Sequence, residues 1–262
     1  MDKPYSSLIV GSGKLGKRFY QYLCQSNPDD KIYTLSRSEK SWSKHHVTID
    51  LLQEDLVLPS LINLKNVFII LAPDQRDVTS YRSVYIHAVT NLLRTLQFDH
   101  QAFHCTFISS TAVYGEHQLG LIDEQIQPCP NKYNGETLLE AEQNLTLLHH
   151  SVSIVRAAGL YSHSRVKLLN SLFDSEQYNN PKWLNLIHEQ DLCIWIEYIS
   201  QHKVPLSIAS DGTPFLRSQL QDFKQNRTYQ KSEPLRRFAS NHKDLIGLQY
   251  PSIFNWLNND SL

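Results

Sequence analysis

Over the first 160 residues, short apolar runs alternate with longer stretches in which apolar positions recur at helical spacing. The short runs predict strands at 6–10, 31–35, 46–49, 67–71, 103–109 and 152–156, and the longer stretches predict helices at 15–25, 78–98 and 133–149. Strand–helix alternation of this kind predicts a parallel sheet covered by helices on both faces. Asp77 or Thr79 stands where the second helix needs an N-cap. Beyond residue 160 the pattern becomes irregular: 183–187 reads as a strand, 191–201 as a helix and 205–209 as a strand. Thr213-Pro214 reads as a helix N-cap followed by proline at the first helical position. No repeat or low-complexity tract divides the chain. One unit over 1–262 is expected, with a core at about 1–160 and a small mixed lobe at about 161–262 interleaved with it.

The first strand, Leu8-Ile9-Val10, runs directly into Gly11-Ser12-Gly13-Lys14-Leu15-Gly16, and a helical stretch follows. In a Gly-x-Gly-x-x-Gly loop with that context, Gly11 serves the tight turn and Gly13 lets a pyrophosphate reach the backbone. Gly16 lets the helix pack close to the strand. The freed amides and the helix dipole then face the phosphates. The expected fold is therefore a Rossmann-type, doubly wound α/β sheet that binds a dinucleotide through Gly11, Gly13, Lys14, Leu15 and Gly16. NAD-binding units usually carry an acid about 20 residues on, at the end of the second strand. Here Ser36-Arg37-Ser38 stands there instead. A guanidinium flanked by hydroxyls suits a 2′-phosphate, which favours NADP(H). The alternative is NAD(H), with Arg37 solvated and Glu39 reaching the ribose. Asp50 and Leu51 follow the third strand, in position to meet the adenine, and Leu71-Ala72-Pro73 ends the fourth at the carboxyl edge where open sheets bind ligands.

Composition narrows the partners. The 25 basic and 26 acidic residues nearly cancel, and no basic block points to nucleic acid. The longest apolar runs, such as 67–72, are far too short for a bilayer, and the first strand starts so early that no secretion signal is expected. Cys24, Cys105, Cys129 and Cys193 lack metal-type spacing and read as reduced thiols of a cytoplasmic protein. Among the twelve histidines, His45-His46 and His149-His150 are adjacent pairs whose side chains diverge on a helix or a strand, so no metal site is expected. A small-molecule substrate is the expected partner.

Phe107-Ile108-Ser109-Ser110-Thr111-Ala112-Val113-Tyr114-Gly115 resembles the fifth strand and serine loop of the extended short-chain dehydrogenase/reductases, which include nucleotide-sugar epimerases and dehydratases. Tyr133 with the helix carrying Leu139-Glu140-Ala141-Glu142, the segment from Val155-Arg156 to Tyr161, and Leu186-Ile187-His188-Glu189-Gln190-Asp191-Leu192 are similar to further family segments, in order. So is the tail Arg236-Arg237, Ser240-Asn241 and Tyr250-Pro251-Ser252. The resemblance implies that Ser110 orients a substrate carbonyl or alcohol, that Tyr133 is the general acid or base, and that Thr111 assists. It leaves a helix-pair homodimer open, built from 78–98 and 133–149. Arg156 is expected to be structural, and His188 and Asp191 to cap and brace the helix that starts there.

Two positions depart from the family. The loop is Gly-x-Gly-x-x-Gly where extended members usually carry Gly-x-x-Gly-x-x-Gly. The family's Tyr-x-x-x-Lys pair is here Tyr133 and Thr137. Residues i and i+4 share a helix face, so a lysine there can lower the tyrosine pKa and hold the cofactor ribose. A tyrosine without such a neighbour, with a pKa of about 10, is only about one part in a thousand phenolate at pH 7. These features resemble the atypical branch of the family. Two readings follow: an NADP-dependent oxidoreductase or epimerase acting on a small sugar-like alcohol or ketone, or a cofactor-binding sensor or scaffold that lost the chemistry.

Overall fold

Seven parallel strands make the central sheet in a computed structural model of the chain, which describes residues 5–61, 63–98, 102–229 and 232–259. In chain order these are β1 (Ser6–Val10), α1 (Lys14–Ser26), β2 (Lys31–Ser36), β3 (His45–Thr48) and β4 (Leu64–Ile69). Helices α2 (Val78–Arg82) and α3 (Val89–Phe98) lead to β5 (His104–Ser110), the short β6 (Gly120–Ile122), α4 (Tyr133–Leu148) and β7 (Val152–Ala157). The remainder holds β8 (Gly159–Tyr161), α5 (Val166–Leu172), β9 (Leu186–His188), α6 (Glu189–Gln201), β10 (Leu206–Ala209) and α7 (Arg217–Lys224). After these come β11 (Arg236–Phe238), α8 (Lys243–Ile246) and α9 (Ile253–Asn259). The spatial order is β3-β2-β1-β4-β5-β7-β10. The chain winds outward from β1 and crosses back at β4, so the topological switch point lies between β1 and β4, directly above the glycine loop.

The alternation within each strand explains why the runs look uniformly apolar. Leu8, Val10, Val67, Ile69 and Phe107 pack on one face with Leu92, Leu138, Ala141 and Leu145 of α3 and α4. Ile9, Phe68, Ile70 and Ile108 pack on the other with Phe19 of α1 and Leu192, Trp195 and Ile199 of α6. A sheet buried on both faces has no polar side to alternate with. A third cluster, Tyr161, Leu172, Leu186, Phe215, Leu220, Ile253 and Trp256, fills the C-terminal lobe. Asp191, expected to brace the helix that starts there, ties α6 to the segment before α9: its carboxylate accepts the backbone N–H of Gln249 at 2.8 Å and of Tyr250 at 3.0 Å. His188 caps α6, its Nδ1 accepting from the Gln190 N–H.

One local expectation is refined and another is corrected. The helix expected over 78–98 runs continuously over that span, with a π-helical turn at Ser83–Ala88 inside it, and Tyr85, Ile86 and Ala88 of that turn lie in the core. Thr213-Pro214 starts no helix. The Thr213 N–H donates to Asp211 Oδ1 at 2.8 Å, Phe215 pairs antiparallel with Leu184, and α7 begins only at Arg217. The demand for the Phe215 bridge overrides the local cap signal. The two-stranded pairs β6–β11 and β8–β9 have strands of three residues, too short to leave a period in the sequence.

Asp77 caps α2, accepting from the Ser80 N–H at 2.8 Å. His45 and His46 do diverge: His46 Nδ1 lies 2.8 Å from Thr34 Oγ1, while the His45 ring sits against Tyr33. All four cysteines are free, and burial pushes the thiols of Cys105 and Cys193 up to about 12. Among the described residues no group of three or more His, Cys, Asp or Glu is placed to hold a metal ion, and no helix is long and apolar enough to cross a membrane.

Candidate functional site

A groove of about 490 Å³ opens at the carboxyl ends of β1, β2 and β4. Its floor is Gly11, Ser12 and Gly13. One wall is Leu35, Ser36, Arg37, Ser38 and Lys40 beyond β2, and its far end is Ile49, Asp50, Leu51 and Leu52. The opposite wall is Ile70, Leu71, Ala72 and Asp74 after β4, backed by Val84 and Ala88. Nine of the expected cofactor positions thus meet in one cavity: Gly11, Gly13, Ser36, Arg37, Ser38, Asp50, Leu51, Leu71 and Ala72. The other four stand elsewhere. Lys14 turns its ammonium to the Ser164 carbonyl at 2.8 Å, and Leu15 lies on the buried face of α1, in the core. Gly16 lies beneath Gly11, and Pro73 is outside the lining.

The loop is built by backbone constraints. Gly11 has φ +104°, and a Cβ there would collide with the Ile70 carbonyl. A Cβ on Gly16 would collide with the Gly11 carbonyl, so the close approach that this glycine permits is of α1 to the turn itself. A Cβ on Gly13 would meet nothing within 4 Å. Gly13 is the N-cap of α1, and no side chain caps that helix start. The start of α1 thus has no side-chain cap and open space beside Gly13, the arrangement that accepts a phosphate. Ser12 Oγ donates to the Leu35 carbonyl at 3.2 Å and ties the loop to β2.

At the far end the polar groups are mutually engaged. Arg37 Nη2 lies 2.6 Å from Asp74 Oδ2 across the groove. Ser36 Oγ donates to the Ser38 carbonyl at 2.8 Å, and Lys40 Nζ donates to Ser38 Oγ at 2.6 Å. Asp50 Oδ1 accepts the Leu52 N–H at 3.0 Å. Asp74 and Lys40 were not among the expected positions. For Asp74 the available signal was a carboxylate one residue beyond the strand-end Leu71-Ala72-Pro73.

Ser110 ends β5 and caps a single 3₁₀ turn, Thr111–Tyr114, by accepting the Ala112 N–H at 3.2 Å. Helix α4 docks on that turn at Gly135, where a Cβ would collide with the Ala112 carbonyl. Tyr133 opens α4, yet its hydroxyl donates to the backbone carbonyl of Arg76 at 2.5 Å, with its ring edge-on to Tyr81. Thr137 is 3% exposed, and Lys132 pairs with Glu116 at 2.6 Å instead of approaching Tyr133. Hydrogen bonds from Lys132 and Lys182 hold the Glu116 carboxyl down at about 2. Among the described residues, no ion pair or side-chain hydrogen bond joins Tyr133 to a cation. Beneath the turn, Arg156 makes a bidentate pair with Glu142 and donates to Tyr114 Oη at 2.8 Å, while Ser109 Oγ donates to Glu142 at 2.5 Å.

No protein-family model matches the chain, and no curated protein matches it. Solved structures do. A protein of Methylobacillus flagellatus described as an NAD-dependent epimerase/dehydratase superposes with a TM-score of 0.75 at 22% identity, over 97% of this chain and 95% of that one. The UDP-N-acetylglucosamine 4-epimerase of Methanobrevibacter ruminantium, in complex with UDP-N-acetylmuramic acid, gives 0.72 at 15% identity over 97% and 96%. The dTDP-glucose 4,6-dehydratase of Bacillus anthracis, in complex with NAD, gives 0.71 at 13% identity over 98% and 97%. The chain has the fold of the NAD-dependent epimerases and dehydratases. The superpositions run over nearly the whole length of both partners, so that fold takes in the C-terminal lobe as well as the sheet.

Proposed function

We propose that this chain binds a nicotinamide dinucleotide, NADP(H) before NAD(H), in the groove over Gly11–Gly13, and acts as an epimerase- or dehydratase-like oxidoreductase on a small sugar-like alcohol or ketone. The observation that carries the reading is the open space at Gly13, before the uncapped start of α1, in a groove that ends at Arg37. The NAD held by the structurally similar dehydratase supports the cofactor class. Gly11, Gly13 and the first amides of α1 would hold the pyrophosphate, and Gly16 would keep the turn tight. Arg37, with Ser36 and Ser38, would face the 2′ position, and Asp50 and Leu51 the adenine. Leu71 and Ala72, with Pro73 behind them, would line the path to the nicotinamide. Lys14 and Leu15 act as supports, one latched to Ser164 and the other packed in the core. When bound, a nicotinamide supplies the hydride acceptor or donor. Ser110, with Thr111 beside it, would orient the reacting oxygen, and Tyr133 would pass the proton, leaving the Arg76 carbonyl to do so. Residues up to about 160 would carry the cofactor, and the lobe beyond would wall a substrate smaller than a nucleotide-sugar. A cytoplasmic protein and a homodimer through the 78–98 and 133–149 helices complete this reading.

Titration of NADPH and NADH fluorescence tests it. Arg37→Ala should weaken NADPH about tenfold or more, the loss expected for a charge-assisted contact of about 1.5–3 kcal/mol, and leave NADH nearly unchanged. Equal losses for the two would reject the assignment of Arg37.

A second reading, binding without turnover, is favoured by one observation: the Tyr133 hydroxyl is committed to a backbone carbonyl, and Thr137 offers no charge one turn on. A panel of alcohols and ketones separates the two. Turnover that Tyr133→Phe abolishes selects the enzyme. Tight cofactor binding with no turnover across the panel selects the sensor or scaffold.

A further inference from the structure

The cation at the end of the groove already has an anion. Arg37 comes from the end of β2 and Asp74 from the segment after β4, and they meet across the groove mouth at 2.6 Å through one guanidinium nitrogen, Nη2. Both side chains are well exposed, at 59% and 71%, so packing fixes neither of them in this pairing. The neighbours do not release Arg37 from the competition. Lys40, the other cation of this wall, is spent on Ser38 Oγ, and the Ser36 hydroxyl on the Ser38 carbonyl. Arg37 and Lys40 face Asp74 and Asp50, so this end of the groove is balanced in charge before any ligand arrives.

We propose that Asp74 is a specificity-determining residue: it competes with a 2′-phosphate for Arg37, and so sets how strongly the groove prefers a phosphorylated over an unphosphorylated dinucleotide. The inference rests on the reading that the groove holds a dinucleotide with Arg37 at the ribose. A guanidinium gives a phosphate its full advantage when a two-nitrogen edge is free for a bidentate pair. With Asp74 on Nη2, an incoming phosphate must either displace the carboxylate or sit beside a like charge. An unphosphorylated ribose offers a hydroxyl, which meets neither penalty. Asp74 therefore lowers affinity for NADP(H) selectively and makes the groove more permissive to NAD(H) than Arg37 alone would.

The test is a double-mutant cycle with NADPH and NADH as probes, read by fluorescence titration of the full chain at fixed ionic strength. Wild type, Asp74→Asn, Arg37→Ala and the double variant are compared. An exposed ion pair accounts for up to about fivefold in an equilibrium. Asp74→Asn should therefore tighten NADPH several-fold, up to about fivefold, and change NADH by less than about twofold. In the Arg37→Ala background the same substitution should leave NADPH binding where it was. An unchanged NADPH-to-NADH ratio in Asp74→Asn would overturn the proposal. An equal gain with and without Arg37 would overturn it too, because that outcome reports general relief of negative charge. Wild type binding neither cofactor, or NADPH affinity indifferent to Arg37→Ala, would instead defeat the underlying groove assignment, and the two failures are distinguishable. Both side chains lie at the surface, and unchanged thermal melts of the variants would confirm intact folding.

Discussion

Replacing Arg156 with alanine should destabilise the protein by several kcal/mol and, with it, the turn that carries Ser110 and Thr111. Arg156 and Glu142 are 5% and 3% exposed. Their pairing is bidentate, with Nη2–Oε2 at 2.6 Å and Nε to both carboxylate oxygens at 3.1 and 3.2 Å. The guanidinium also donates to Tyr114 Oη at 2.8 Å and lies 5.1 Å from that ring's centre. Truncation leaves the Glu142 carboxylate buried with the Ser109 hydroxyl as its remaining donor among these contacts. Breaking a buried pair from one side costs about 3–5 kcal/mol, because the orphaned charge stays desolvated. Native stability is only about 5–15 kcal/mol. At roughly 2–4 °C per kcal/mol for a chain of this size class, the melting temperature should fall by about 10 °C. The assay is urea and thermal unfolding of Arg156→Ala, Glu142→Gln and the apolar double substitution Arg156→Met/Glu142→Leu. The double should recover at least half of the loss, since an apolar pair of similar volume leaves no orphaned charge. A loss below about 1 kcal/mol in Arg156→Ala, or a double variant as damaged as the sum of the singles, would show that no orphaned buried charge sets the cost. The choice of pair matters to the site. Ser109 precedes Ser110 in β5 and Tyr114 closes the 3₁₀ turn, so the network grips both ends of the segment that presents Ser110 and Thr111.

Two further predictions concern the loop and the sheet. Gly13→Ala should leave the melting temperature unchanged while weakening cofactor binding at least tenfold, because its Cβ would enter empty space in the groove. Gly16→Ala, whose Cβ would strike the Gly11 carbonyl, should cost about 1–3 kcal/mol of stability as well, and equal melts for the two variants would contradict this. His104 bridges Ser151 and Ser153 inside the sheet, and burial pushes its pKa down to about 4. Between about pH 6.5 and 4 the unfolded chain takes up a proton that the folded chain refuses. Stability should therefore fall as pH drops through that window, by up to about 1.4 kcal/mol per unit. Urea midpoints measured from pH 7 to 4 should lose that slope in His104→Gln, and an unchanged slope would exclude His104 as its source.

The sheet and the glycine loop were legible because each depends on local pattern. Two-sided burial forces unbroken apolar runs such as Leu8-Ile9-Val10 and Val67–Ile70, and a turn beneath the switch point requires glycine at 11 and 16. The short strands β6, β8 and β11 were not legible, since three residues carry no period, the strand expected at 183–187 overlaps β9 only at Leu186 and Ile187, and the Thr213-Pro214 signal yielded to the bridge between Phe215 and Leu184. The site shows the same division. Residues contributed by a strand end, such as Ser36, Arg37 and Ala72, could be placed from the sequence. Their partners could not. Asp74 reaches Arg37 across 37 positions, and the Arg76 carbonyl reaches Tyr133 across 57. Neither pairing leaves a trace in spacing, because each depends on where the segment after β4 crosses the groove.

That crossing separates the proposed binding from the proposed chemistry. The proposed phosphate cradle is made of backbone and would need only three glycines and the start of a helix. The proposed chemistry would need side chains set on α4, which packs so closely on the turn after β5 that a Cβ on Gly135 would collide with the Ala112 carbonyl. Tyr133 and Thr137 share a face of that helix. Tyr133 reaches the segment after β4 because it is the first residue of the helix, whereas Thr137, one turn further in, is closed off by packing at 3% exposure. A lysine at 137 would have to desolvate an ammonium in that packing or lift the helix off the turn. The absence of a lysine at 137 is thus built into the way α4 sits. On the proposed reading, any cation that assists Tyr133 would come from outside α4, and the groove would hold a dinucleotide whether or not one does.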